Sequence, residues 1–157
     1  MEVGMTDRLL LSGLSLFQGL DDPQLEILAS LMKEVTFTPD QLVVERSSFS
    51  ADLYILLEGR VSVEITTVGY YGKESTTMQL AILRGGDIFG EIAFLDGRRR
   101  SAAVTALDPI RVLQLDRDRA FELFEQDPHM GFIIMRNVAL VLAQRLIHMT
   151  FMWRDHV

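Results

Sequence analysis

At 157 residues, 48% of them apolar, the chain can bury one hydrophobic core but not two comfortable ones, and it is too apolar to be disordered. A formal charge of −7 repels nucleic acid unless positive charge is clustered, and the one cluster, Arg98, Arg99 and Arg100, suits a local anion site better than a groove tracking many phosphates. The absence of cysteine excludes disulfides and thiolate chemistry and fits a reducing cytosol.

The N-terminal MEVGMTDRLLLSGLSLF has no basic stretch and no small-residue cleavage pattern, so no secretory signal is expected and the cytoplasm is the expected compartment. Residues 14–34 read as one or two short helices. Asp22-Pro23 has the form of a helix start, a capping side chain before proline, and Leu25, Leu28, Leu31 and Met32 follow at helical spacing. From Val35 to Asp116 the period shortens. VTF, LVVE, LYILLEG, VSVEI, TMQLAIL, AAVTAL and RVLQLD are short β-branched-rich segments between turns, the clearest being Glu58-Gly59 and Arg84 to Asp87. Residues 66–75 read as an extended hairpin tip. The expected fold is mainly β with flanking α, an antiparallel eight-stranded β-roll or jelly roll.

Helix returns at Arg117 to Glu125, and Asp127-Pro128 starts a longer helix reaching to about residue 154. Its apolar runs, such as Val138 to Ala143, are too short for a membrane span to be expected, and Phe132 to Val141 is apolar nearly all round, as in a buried helix. Phe132, Met135, Ala139, Leu142, Leu146, Met149 and Trp153 alternate steps of three and four, a heptad seam that can face the protein's own barrel or a second copy. Residues 1–157 are expected to form one domain.

Catalytic and metal chemistry find no footing. Gly85 and Gly90 have the spacing of a phosphate loop, but Glu91-Ile92 stands where Lys-Ser/Thr is needed. His129, His148 and His156 have no spacing that converges on a metal. Asp116, Asp118 and Glu122 flank a strand-to-helix junction, where acids complement the helix dipole. With no nucleophile beside a base, neither an enzyme nor a cofactor is expected.

The informative stretch is GEIAFLDGRRRSAAV, residues 90–104. Arg100 offers a planar fork for two anionic oxygens, and Ser101 adds a hydroxyl donor. Backbone N–H groups at the start of a helical turn from Glu91 to Phe94 extend the anion cradle. Ala93, Ala102 and Ala103 let a ligand approach the backbone. The Glu91 carboxylate repels phosphate and is matched to a hydroxyl donor, and Gly90 supplies the turn that aims it inward. A ligand with both a phosphate and a ribose hydroxyl fits that division. The competing readings are that Glu91 only caps the turn and that Arg100 only pairs with an acid. Arg98 and Arg99 read as solvated loop residues.

This stretch resembles the phosphate-binding cassette of cyclic nucleotide-binding domains, through Gly90, Glu91, Ala93, Arg100, Ser101, Ala102 and Val104. LFQGLDDPQLEILASLM, DLYILLEGRVSVEI and GGDIFGE are similar to that family's N-terminal helices, central strands and cassette lead-in. The resemblance implies binding of a cyclic purine mononucleotide, cAMP or cGMP. Glu91 then accepts from the ribose 2′-OH and Arg100 pairs with the exocyclic phosphate oxygens. Ser101 and Ala102 help hold phosphate or base, and Phe89, Gly90, Ile92 and Ala93 contribute backbone N–H groups or apolar surface. Val63 and Leu80 join the floor under the base, and Met149, Thr150 and Trp153 of the last helix form its lid. Asp40 and Ser47 stand where the family has turn glycines, and the tip from Val68 to Glu74 is long for it.

The expected function is a sensor that signals through its last helix to a dimer mate or an effector the sequence does not identify. The alternative is an interaction module of the same fold without ligand. With no helix-turn-helix before Val157, and an acidic surface, direct DNA binding is not expected.

Overall fold

The computed structural model describes residues 5–46, 50–67, 69–98 and 100–155. Ser47, Arg99, His156 and Val68, and the side chain of Trp153, lie outside what is described. A helix, α1 (Met5–Ser12), precedes the region where helix was expected, docked by the fully buried Leu11. A 3-10 turn at Ser15–Phe17 leads to α2 (Asp22–Ser30), whose cap is Asp21 rather than the expected Asp22. The Asp21 carboxylate accepts from Gln24 N–H at 2.8 Å, and the Gln24 side chain accepts from Asp21 N–H at 3.2 Å. This reciprocal box leaves Asp22 inside the first turn.

The helical spacing that carried the expectation to residue 34 misleads. Met32 to Phe37 form strand β1, paired residue for residue with β8 (Ile110–Leu115), from Met32 opposite Leu115 to Phe37 opposite Ile110. A ladder to a distant strand outweighs a local repeat of two apolar residues. Between them run β2 (Leu42–Val44), β3 (Leu53–Glu58), β4 (Val61–Thr67), β5 (Thr76–Leu83), β6 (Ile88–Phe89) and β7 (Ala103–Ala106). All pairings are antiparallel, in two four-stranded sheets ordered β1-β8-β3-β6 and β2-β7-β4-β5. This is the expected eight-stranded β-roll. At Asp40, where a glycine was expected, the backbone takes a left-handed φ of 68°, which Asp tolerates better than most residues.

The run Leu53-Tyr54-Ile55-Leu56 is buried throughout because successive side chains enter different cores. Leu53 and Ile55 face the helices together with Leu113 and Leu115. Tyr54 and Leu56 face the second sheet together with Ile110 and Val112. β3 and β8 thus separate a helical core from a core between the sheets.

Two helices follow, α4 (Arg117–Gln126) and α5 (Pro128–Asp155), the first capped by Asp116, which accepts from Arg119 N–H at 2.8 Å. At the start of α5, the Asp127 carboxylate accepts from Met130 N–H and from the Gln24 amide, each at 3.2 Å, which holds it below the usual carboxylate range. Met130, Ile134 and Val138 enter the helical core. The buried Asn137 amide donates to the carbonyls of Leu16 at 2.7 Å and Gln18 at 3.0 Å, fixing this part of α5 on the 3-10 turn.

The expectation of a buried segment from Phe132 to Val141 holds for one side only. Phe132 and Leu140 are exposed, as are Leu146, Ile147, Met149, Phe151 and Met152 further on. The sequence reading counted only uninterrupted apolar runs. Pro128–Met152 as a whole is long and apolar enough to cross a membrane by length and composition, a test that core helices also pass, and here its first half packs on the helical core.

Candidate functional site

The site begins where β6 stops after two residues. Gly90 has a φ of +79° and turns the chain directly into a short helix, α3 (Glu91–Asp96), which Gly97 ends with a φ of +71° and an N–H bond to the Ala93 carbonyl at 2.8 Å. The first bond closing α3 runs from Phe94 N–H to Gly90 O, so the amides of Ile92 and Ala93 precede the intrahelical ladder. Ala93 and Phe94 are buried beneath the turn, and the Phe94 carbonyl accepts from Arg117 Nε at 2.7 Å.

Arg100 is folded against this turn and is only 4% exposed. Its Nη1 donates to Gly90 O at 2.9 Å, and its Nη2 donates to Asp52 O at 2.7 Å and to Ser50 Oγ at 3.3 Å. The guanidinium carbon lies 5.7 Å from the ring centre of Tyr54, which stacks on Phe89 with centroids 5.0 Å apart and planes within 2°. The Asp52 carboxylate is held by Gln114 Nε2 at 2.6 Å. Burial pulls the guanidinium below its ordinary pKa, with Tyr54, Asp52 and Glu91 opposing the change, and burial pushes the Tyr54 hydroxyl up. An arginine starts so far above neutrality that it keeps its charge. Arg100 Nε is buried and has no hydrogen-bond partner among the described residues.

Neither competing sequence reading describes these two residues. The cap of α3 is the Gly90 backbone with no side-chain bond, and the hydrogen-bond partners of Arg100 are two carbonyls and a serine. Glu91, with its side chain 12% exposed, accepts at Oε1 from Arg145 Nη1 of α5 at 2.9 Å, and Arg145 Nη2 donates to the Ile88 carbonyl.

These groups open on a cavity of about 370 Å³, within the size range of small-molecule sites. Phe89, Gly90, Glu91, Ile92, Ala93, Arg100, Ser101 and Ala102 line one side. Val63 and Leu80 lie on a second side with Ile65, Ala81 and Leu83, and Met149 lies on a third with Leu142, Arg145 and Leu146. The neighbours Leu80 and Ala81 both reach the cavity because the β4–β5 register shifts there, Val63 pairing with Ala81 and Glu64 with Gln79. Thr150 is not among the lining residues, and its hydroxyl donates to Leu146 O at 2.9 Å. The Trp153 side chain is outside the description. Arg98 stands in solvent, 3.9 Å from Asp96.

Sequence reading missed Arg145, Tyr54, Asp52 and Gln114. Arg145 carried a usable signal, a lone cation between Leu142 and Leu146 on the seam. The other three lie in strands or strand leads, where only the fold shows which charged group they meet.

Gly90 admits a direct test. A Cβ there lies 2.4 Å from Arg100 Nη1 and 3.0 Å from the Asp52 carbonyl, and the left-handed backbone costs a non-glycine residue about 1–2 kcal/mol. Gly90→Ala is expected to destabilise the protein by at least that amount in chemical denaturation. An unchanged midpoint would refute the packing described.

The comparisons bear on the whole assembly. The cyclic AMP receptor protein of Thermus thermophilus is 29% identical over 136 residues, 87% of this chain and 59% of that protein. The cAMP-dependent protein kinase regulatory subunit of Dictyostelium discoideum is 33% identical over 109 residues, 69% of this chain and 33% of that protein. The chain therefore spans less than two thirds of the length of these curated relatives. A crystal structure of a cyclic nucleotide-binding domain from Methylobacillus flagellatus KT superposes with a TM-score of 0.80 over 94% of this chain and 84% of that one, and at 21% identity it shows the shared fold alone. The sequence profile of the cyclic nucleotide-binding domain matches residues 34–127, from β1 through the cassette to the end of α4. By that match over more than half its length, the chain belongs to the cyclic nucleotide-binding domain family.

Proposed function

We propose that this chain is a non-enzymatic cytoplasmic sensor that binds a cyclic purine mononucleotide, cAMP or cGMP, between the cassette and α5 and signals through α5. The observation that carries the reading is Arg100, a residue of the cavity lining whose buried cationic donor Nε has no partner among the described residues. A buried donor left unpaired is costly, and an exocyclic phosphate oxygen is an acceptor of matching charge. Glu91 Oε1 is engaged by Arg145, which leaves the second carboxylate oxygen to accept from a ribose 2′-OH. Ile92, Ala93, Ser101 and Ala102 complete the phosphate side, with Val63, Leu80, Phe89 and Met149 around the base. The relatives' names, a cyclic AMP receptor and a subunit of a cAMP-dependent kinase, favour the adenine nucleotide. Met135 and Leu142 of the seam pack on the chain's own helical core, while the exposure of Phe132, Leu146 at 66% and Met149 at 57% leaves apolar surface that suits a second copy or an effector protein.

One observation favours the alternative, an interaction module without ligand. Both Nη atoms of Arg100 and one oxygen of Glu91 already have protein partners. Calorimetric titration with cAMP and cGMP separates the two. The wild type is expected to bind at least one of them saturably, and the Glu91→Ala/Arg100→Ala double variant neither. A folded wild type that takes up neither nucleotide establishes the alternative.

A further inference from the structure

Past Asn137, the described side-chain hydrogen bonds from α5 to the rest of the protein are the two made by Arg145. Its two terminal nitrogens reach the Glu91 carboxylate and the carbonyl of Ile88, the residues on either side of the turn that opens the cassette. The pair is sheltered, with the Arg145 side chain 29% and Glu91 12% exposed, and it lies on the cavity wall. A carboxylate this desolvated needs a partner, and next to a site for an anion it also needs its charge offset. Arg145 does both while engaging only Oε1.

We propose that Arg145 is a positioning residue of the pocket: by holding one oxygen of Glu91 it aims the other at the ligand's hydroxyl, and it docks the second half of α5 on the cassette. The ligand-facing part rests on the nucleotide-binding reading above. Arg145 acts through Glu91, so its effect is specific to the ribose hydroxyl, whereas a general loosening of the pocket weakens all ligands alike.

The test is Arg145→Gln in the full chain, with Arg145→Lys as a variant that keeps the charge. Circular dichroism first checks that each is folded. In nucleotide-free protein, Arg145→Gln is expected to speed hydrogen exchange across residues 140–152 severalfold. Calorimetry is expected to show about tenfold weaker cAMP binding and a much smaller change for 2′-deoxy-cAMP, so that discrimination between the two collapses, with Arg145→Lys recovering part of it. Equal losses for both ligands, or tighter cAMP binding, overturn the positioning role. Unchanged exchange overturns the docking role. A wild type that binds no cyclic nucleotide overturns the functional reading and the ribose half of this proposal with it, while the exchange result still decides the docking half.

Discussion

Arg100→Ala is expected to weaken cAMP binding by about ten- to a hundredfold, the range set by roughly 1.5–3 kcal/mol for hydrogen bonds to a charged group. The loss has two sources. In the proposed binding mode the cation that would face the phosphate disappears, and the carbonyls of Gly90 and Asp52 lose the donor that ties the turn to the strand lead. Arg100→Lys separates them, because an ammonium keeps the charge but cannot span Gly90, Asp52 and the phosphate as a planar fork does. Lysine is therefore expected to fall between alanine and wild type in affinity. An affinity left unchanged by alanine places the phosphate elsewhere and ends the assignment of Arg100.

The largest stability effect is expected at Phe94. Its ring is fully buried in the helical core and packs on Phe121 of α4 at 5.4 Å, while its carbonyl takes the hydrogen bond from Arg117. Arg117 in turn covers the Phe121 ring at 4.4 Å, so ring and carbonyl fasten the cassette helix to α4 at one place. Truncating a buried phenylalanine to alanine costs about 3–5 kcal/mol. For a domain of this size that corresponds to a fall in Tm on the order of 10 °C. Phe94→Leu retains most of the buried volume and is expected to cost clearly less. Denaturation showing a loss below about 1 kcal/mol for Phe94→Ala would mean that the core closes around the gap and that the cassette does not depend on this contact.

The cassette was legible because its chemistry is local. A glycine, an acid, an arginine and small residues lie within fifteen positions of each other, and their side-chain types state what they can bind. The strands were legible for a similar reason, since turns at Gly59 and Gly86 punctuate them. Strand β6 was not counted as a strand, because two residues between Asp87 and Gly90 have no period to detect. Met32 is the reverse case. It continued the spacing of Leu25 and Leu28, and only its partner Leu115, far along the chain, turns it into a strand residue. Arg145 shows a third kind of limit. The sequence marks it as unusual on an apolar helix, but that it meets Glu91 rather than solvent follows from how α5 is angled. That angle is set by Asn137 and the 3-10 turn, which no local pattern encodes. The direction of the seam is hidden for the same reason, because apolar residues at heptad spacing read alike whether they end up in a core or at a surface.

Asn137 has a mechanical consequence. Were α5 to move as the proposed signalling requires, Asn137 would be its fulcrum. Val138, Val141 and Leu142 still pack on the helical core just beyond it, Arg145 ties the next turn to the cassette, and the stretch from Leu142 to Met149 borders the cavity. At 1.5 Å of rise per residue, the arm from Asn137 to Met152 is about 22 Å long. A tilt of about 10° around that fulcrum carries Met152 through roughly 4 Å, while Leu142, close to the pivot, moves by little more than 1 Å. Such a tilt would be geared: a displacement smaller than a bond length beside the cavity would become one as large as a side chain at the far tip, where Phe151 and Met152 stand exposed.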